Sequence, residues 1–279
     1  MKKPVDLYDS HYGNVEAEVY RAVRVETFGE DMGQTSWITA AECDEFCRWL
    51  GVRPGQRILE IACGSGGTAV RIAEEFGASV VGVDVNPSAV LAATNRARSR
   101  KIPDRAEFQV ADANEALPFR AESFDVLFCN DSINHLRDRA GVLADWHRVL
   151  RPGGRFLYTD PIVVTGCLSN AEIAARSSIG FFLFTPRDAN EEFIRGAGFR
   201  LLRTADVTGS VSRTSRRWHE ARSRRREALC ELEGETKFER LQHFLKTVHS
   251  LSSEGRLSRF AFEGEKTARV PGTGNGGVA

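Results

Sequence analysis

At 279 residues the chain is long enough to bury a full core, as one domain or one domain with an appended cap. Its 38 basic and 38 acidic residues cancel and 42% of it is apolar, so no global field marks a nucleic-acid or membrane-surface partner. The opening MKKPVDLYDSHYG has no apolar stretch behind its lysines, and no window approaches the roughly 18 consecutive apolar residues of a spanning helix, so a cytoplasmic location is expected. The six cysteines, at 43, 47, 63, 129, 167 and 230, form no C-x-x-C pair and no zinc spacing. Reduced thiols and no metal are expected.

In chain order, residues 1–37 are polar and aromatic and look like a lid, and Ala40 to Leu50 reads as an amphipathic helix. Five short runs rich in β-branched and aromatic residues follow: 57–61, 79–84, 107–110, 124–128 and 155–159. Between them 68–76, 88–100 and 137–150 carry apolar residues at helical spacing, with Pro152-Gly153-Gly154 stopping the last. The alternation predicts an α/β fold with βα units around a parallel sheet. Beyond it, 187–197 reads as a helix, and 199–207 and 257–263 as strands that pair as an antiparallel edge hairpin. Some 45 residues of helical pattern between those strands predict a helical insertion at about 209–254. The main domain is placed at 38–270, and the Gly-rich tail, 271–279, is expected to be disordered.

The chemistry-bearing segment is Glu60-Ile61-Ala62-Cys63-Gly64-Ser65-Gly66-Gly67, at the end of the first strand and running into a helix. Glycines there permit a sharp turn and close approach of a ligand, and the helix start offers free N–H groups. Gly64-x-Gly66-x-x-Ala69 with Asp84-Val85 some 20 residues on also fits a dinucleotide fingerprint, and an acid at that place holds a ribose in either case. Glu60 before the glycines, Asp112-Ala113 after the third strand and Asn130-Asp131-Ser132-Ile133-Asn134-His135 after the fourth separate the two readings.

From residue 57 to 160 this series resembles the class I S-adenosylmethionine (SAM)-dependent methyltransferases. The resemblance implies a doubly wound, Rossmann-like sheet of seven strands, mostly parallel with an antiparallel last strand. It implies SAM as cofactor and S-adenosylhomocysteine (SAH) as product, held by Glu60, Ala62, Gly64, Gly66, Asp84, Val85, Asp112, Ala113, Asn130 and Asp131. It also implies a lid that closes over SAM, with Tyr12, Tyr20, Gln34, Thr35 and Trp37 as candidates; an N-cap role competes for Thr35 and Ser36.

Asp131-Ser132-Ile133-Asn134-His135-Leu136 and Phe28-Gly29-Glu30-Asp31 are similar to segments of phosphoethanolamine methyltransferases, in which the histidine is catalytic and pairs with a lid tyrosine. Tyr20 is the nearest match to that tyrosine. His135 with Asp160 resembles the pair of bacterial sugar O-methyltransferases, although Asn134 stands where those often have a second histidine. His135 is thus the candidate general base, with Asp160 orienting it, for an oxygen or nitrogen of a small-molecule acceptor. A catalytically silent SAM-binding protein and an NAD-dependent oxidoreductase are the alternatives. Between Arg213 and Arg226 lie seven arginines, but the acids from Glu227 to Glu235 cancel much of their field and argue against nucleic acid. A solvated face, an anionic group on the substrate or a homodimer contact remain open for them.

Overall fold

The computed structural model describes residues 12–267. Its parallel core comprises β1 (Arg57–Ile61), β2 (Ser79–Asp84), β3 (Ala106–Val110), β4 (Phe124–Cys129) and β5 (Leu150–Val164). β6 (Thr185–Pro186), β7 (Phe199–Asp206) and β8 (Leu257–Lys266) complete an eight-stranded sheet. The order is β3-β2-β1-β4-β5-β8-β7, with the two-residue β6 paired to β5 off that path. β8 runs antiparallel to both β5 and β7. The expected hairpin forms, but β8 slides between β5 and β7, so β7 is the edge.

β1, β2 and β4 are buried on both faces, as parallel strands between helical layers must be, while the edge strand β3 is half-exposed. Ile58 packs into one core cluster with Phe46, Ala73 and Phe128, and its neighbour Leu59 packs into the other with Trp146 and Leu143. The crossover helices follow the predicted stretches closely. With α1 (Glu18–Phe28) and α2 (Ala40–Leu50) preceding β1, they are α3 (Gly67–Phe76), α4 (Pro87–Ser99) and α5 (Arg139–Val149). Thr39, and not Thr35 or Ser36, caps α2 by accepting from the Glu42 N–H. β5 is longer than 155–159: it begins at Leu150, takes in Pro152-Gly153-Gly154 and runs on past Asp160, irregular in its register with β8 between Asp160 and Val163.

After β5 come α6 (Asn170–Arg176) and α7 (Ala189–Gly196), and between β7 and β8 stand α8 (Thr208–Ser223), α9 (Arg226–Glu233) and α10 (Glu235–Ser253). These last three are the expected helical insertion. They share a core with the N-terminal helix: Val23 and Phe28 of α1, then Trp37, meet Trp218, Phe238, Phe244 and Val248. Trp37 stacks near Phe244 and meets Trp218 edge-on, at 6.4 and 5.9 Å between ring centroids. Five of the seven arginines of 213–226 pair with acids. Arg222 pairs with Glu233, Arg224 and Arg225 with Glu26, and Arg226 with Glu235 and Glu239. All six cysteines are free thiols, four of them buried. No helix among the described residues is long and apolar enough to cross a membrane. The tail expected to be disordered lies outside the described residues.

Candidate active site

The strand order turns back on itself between β1 and β4, and open α/β sheets form their ligand crevice at the carboxyl ends of such a pair. A cavity of about 840 Å³ lies there. It is floored by the strand-end loops, closed on one side by residues 32–37 and roofed by α8, α10 and the segment 176–182.

The glycine loop makes the floor. Gly66 takes a left-handed turn at φ 74°, and a Cβ on it would strike Ala93 and Phe108 at 2.7 and 2.8 Å. A Cβ on Gly67 would overlap the Met32 carbonyl, because residues 32–33 lie directly on this loop. Ser65 Oγ donates to the Gly33 carbonyl at 2.8 Å, and Arg96 holds the Ser65 carbonyl from the other side. Gly66 at the N-cap has no side chain to satisfy the first N–H groups of α3. By contrast, Asn86 caps α4 by accepting from the N–H groups of Ser88 and Ala89. The first turn of α3 lines the cavity, and the N–H groups there that remain unpaired are suited to a ligand's anionic group.

Acids from successive strand ends ring the floor. Glu60 is buried, and its Oε2 has no hydrogen-bond partner among the described residues. Burial, with the charge of Asp84 adding, pushes the Glu60 carboxyl up to about 8, against the lowering pull of the Ala69 N–H and Thr68 hydroxyl. Asp84 accepts from the N–H groups of Gly64 and Asn86, both at 2.9 Å, and burial raises it too. Asp112 is exposed at the cavity rim and accepts from Asn114. Ala62, Val85, Ala113, Gln34 and Thr35 also line the cavity. Gln34 is fixed through the Met32 N–H and the Glu30 carbonyl, while Thr35 Oγ1 lies 3.2 Å from the Tyr12 hydroxyl.

Asp131 adopts φ 54°, a strained conformation for a non-glycine residue that persists only when its surroundings hold it. Here they do. Its Oδ1 accepts from Arg259 Nε at 2.6 Å and from the Thr159 hydroxyl at 2.8 Å, and its Oδ2 from the Trp37 N–H at 3.0 Å. Arg259, wholly buried in β8, also donates to Asn130, to Glu42 of α2 at 2.7 Å and to Ser210 of α8. One guanidinium thus ties the fourth-strand motif to α2 and the cap. An arginine in the apolar run Leu257 to Phe262 is a visible signal of a buried charge, but its partners lie 49 to 217 residues away.

His135 sits in a single 3₁₀ turn, Ile133–His135, on the cavity wall. Its Nδ1 lies 2.8 Å from the Phe181 carbonyl, which can only accept, so Nδ1 carries the proton and Nε2 the lone pair. Burial, with the positive Arg176 nearby, holds the imidazole below its ordinary 6.5, and it is neutral at pH 7.

The expected His135–Asp160 pair does not form. Asp160 is fully buried and outside the cavity lining. It accepts from Arg139 Nη1 at 2.7 Å, Thr185, Asn190 and the Ile162 N–H. A buried carboxylate needs a cation, and α5 supplies one in Arg139. Tyr20 does line the cavity, but its hydroxyl donates to Glu233 at 2.7 Å; burial and that acid raise its pKa far above 10. Sequence reasoning missed the opposite wall altogether: Arg176, Phe182, Lys237, Arg240 and Phe244.

The residues present fit SAM. Its cationic amino-acid and sulfonium groups would meet the acids of the floor, its carboxylate would meet the start of α3, and the glycines leave room for close approach.

Residues 58–154 match a family described as a methyltransferase domain. The chain is 34% identical over 168 residues to 27-O-demethylrifamycin SV methyltransferase from Amycolatopsis mediterranei, covering 59% of this chain and 61% of that one. It is 29% identical over 201 residues to phosphoethanolamine N-methyltransferase 1 from Zea mays, covering 72% and 39%. The chain spans about three fifths of the length of the first curated relatives it matches. Its fold is that of a cyclopropane synthase from Mycobacterium tuberculosis, with TM-score 0.79 and 19% identity over 95% of this chain and 99% of that one. The sheet order and the acids at the strand ends agree with the match of residues 58–154 to a methyltransferase-domain family.

Proposed function

We propose that the protein transfers a methyl group from SAM to an oxygen or nitrogen of a small molecule, with His135 as general base. The observation that carries this reading is the position of His135 in the cavity. A neutral imidazole with its proton on Nδ1 stands between the acid-lined floor and an aromatic wall. Bound SAM would supply an electrophilic methyl on sulfur. Asp84 would hold the ribose, Asp112 the adenine amino group, and Glu60 and the start of α3 the amino-acid end. Asp131, fixed by Arg259 and Trp37, would hold the sulfonium side of the cofactor.

His135 Nε2 would take the acceptor's O–H or N–H proton as the acceptor atom forms its bond to the methyl carbon and the sulfur–methyl bond breaks. General base catalysis of this kind contributes roughly 10² to 10⁴ in rate. The residues 32–37 and the cap would keep water from competing for the methyl. Asp160 has no part in this reading beyond fixing Arg139 under the 3₁₀ turn.

Fold alone does not select the chemistry. The test is incubation of the purified protein with methyl-labelled SAM and a panel of hydroxylated and aminated small molecules. Label in an acceptor supports the proposal. SAM binding with no labelled product across a broad panel would favour a silent SAM-binding protein, and tight NAD binding with no SAM binding would favour an oxidoreductase.

A further inference from the structure

The two walls of the cavity differ in charge. The floor presents Glu60, Asp84, Asp112 and Asp131, with Arg137 beside Asn114, whereas the roof presents Arg176, Lys237 and Arg240. Glu233, the one acid of the roof among the described residues, is already engaged by Arg222 and the Tyr20 hydroxyl. Lys237 and Arg240 stand at i and i+3 on α10, with Leu241 and Phe244 at i+4 and i+7, so the four share the helix face that lines the cavity. Neither cation has a carboxylate within ion-pair distance among the described residues; the nearby Glu235 and Glu239 are taken by Arg226. Arg176 is buried, its guanidinium 4.7 Å from the ring centroid of Phe182 and 4.9 Å from that of Phe244. Phe182 in turn meets the His135 ring at 4.7 Å. From His135 outward the wall therefore runs imidazole, aromatic ring, guanidinium, aromatic ring, and then the cationic edge of α10.

We propose that the acceptor site takes an organic anion: an apolar body that lies along Phe182, Ile179, Leu241 and Phe244 and carries an oxyanion held by Lys237 and Arg240. A neutral apolar acceptor would leave these cations without a counter-charge, while a cationic one would meet repulsion along the whole roof. This rests on the reading of the cavity as a methyl-transfer site, for the class of acceptor; the anion preference of the roof is a property of the chain's own residues.

The test uses two fluorescent probes that differ by one sulfonate, 1-anilinonaphthalene-8-sulfonate and the neutral N-phenyl-1-naphthylamine, titrated into the full chain with saturating SAH. The sulfonate probe should bind at least about ten-fold more tightly than the neutral one. The double variant Lys237→Gln/Arg240→Gln should erase that preference while leaving the neutral probe within about two-fold. As a control for general charge loss, Arg213→Gln/Arg217→Gln, on the exposed side of α8 and outside the cavity, should leave both affinities within about two-fold. Equal affinity for the two probes, or a sulfonate preference that survives the α10 double variant, would overturn the proposal. SAH binding is measured separately by calorimetry. Absence of SAH binding with the α10-dependent preference intact would defeat the methyl-transfer reading and leave the anion site standing.

Discussion

The floor and the roof of the cavity are built in opposite ways. Each acid of the floor sits at the end of its own strand, Glu60 and Asp84 within the last residues of β1 and β2, Asp112 and Asp131 two residues past β3 and β4, so its position is set by local chain geometry. The roof is assembled by packing. Arg176 at the end of α6, Phe182 in a loop, and Lys237 and Arg240 on α10 come together only because α8 and α10 fold over the sheet and share a core with α1 and Trp37. The cofactor side of such a site is therefore carried by spacing along the chain, and the acceptor side by contacts between distant segments.

If His135 works at the seam between the two, His135→Ala should produce the largest change. Turnover with a competent acceptor should fall by about 10² or more while SAH affinity stays within a few-fold. Unchanged turnover would remove His135 from the chemistry.

Arg259 joins the floor to the cap, and Arg259→Met leaves Asp131 and Glu42 as buried carboxylates without their cation. Breaking a buried ion pair in this way costs about 3–5 kcal/mol, so the melting temperature should drop sharply, with Arg259→Lys recovering part of it. A Met variant as stable as the wild type would mean that the two halves are not coupled through this residue.

Asp84→Ala acts on the floor alone. Two hydrogen bonds from a ribose to a carboxylate contribute about 1.5–3 kcal/mol each, so calorimetry should find SAH affinity reduced by at least about 10²-fold, with the probe preference of the roof unchanged. Normal affinity would mean that the ribose is held elsewhere.

A pH dependence tests the floor without ligand. Burial raises the Glu60 carboxyl from 4.5 to about 8 in the folded chain. A group raised on folding stabilises the fold fully below its unfolded pKa, and that contribution is lost as pH climbs through the folded value. Stability of the ligand-free wild type should thus decline relative to Glu60→Gln between pH 5 and 8 in chemical denaturation. A difference that stays flat across that window would mean the carboxyl is ionised throughout.

The fold was legible in the sequence because each βα unit is local. The helices Ala40–Leu50 and 68–76 and the strands at 57–61 and 79–84 stand almost residue for residue where periodicity and turn residues put them. The helical insertion was legible by its length. Its site residues were not, since Lys237 and Arg240 look in sequence like any solvated pair on a charged helix.

Asp160 shows the limit most clearly. A carboxylate at the end of β5, one strand over from His135, has the right place in the chain for an orienting partner. What claims it instead is Arg139 on α5 together with Asn190 of α7, a pairing across 21 and 30 residues that strand position alone does not reveal. The arginine run at 213–226 drew attention by composition, yet its members at 222 and 224–226 serve to bind the cap to itself and to α1.

The most direct test of the floor as a SAM site is a crystal structure of the full chain grown with SAH. The ribose hydroxyls should lie on the Asp84 carboxylate, the adenine beside Asp112, and the sulfur on the side of the cavity facing His135. SAH absent from this cavity at saturating concentration, or bound with its ribose away from Asp84, would contradict it.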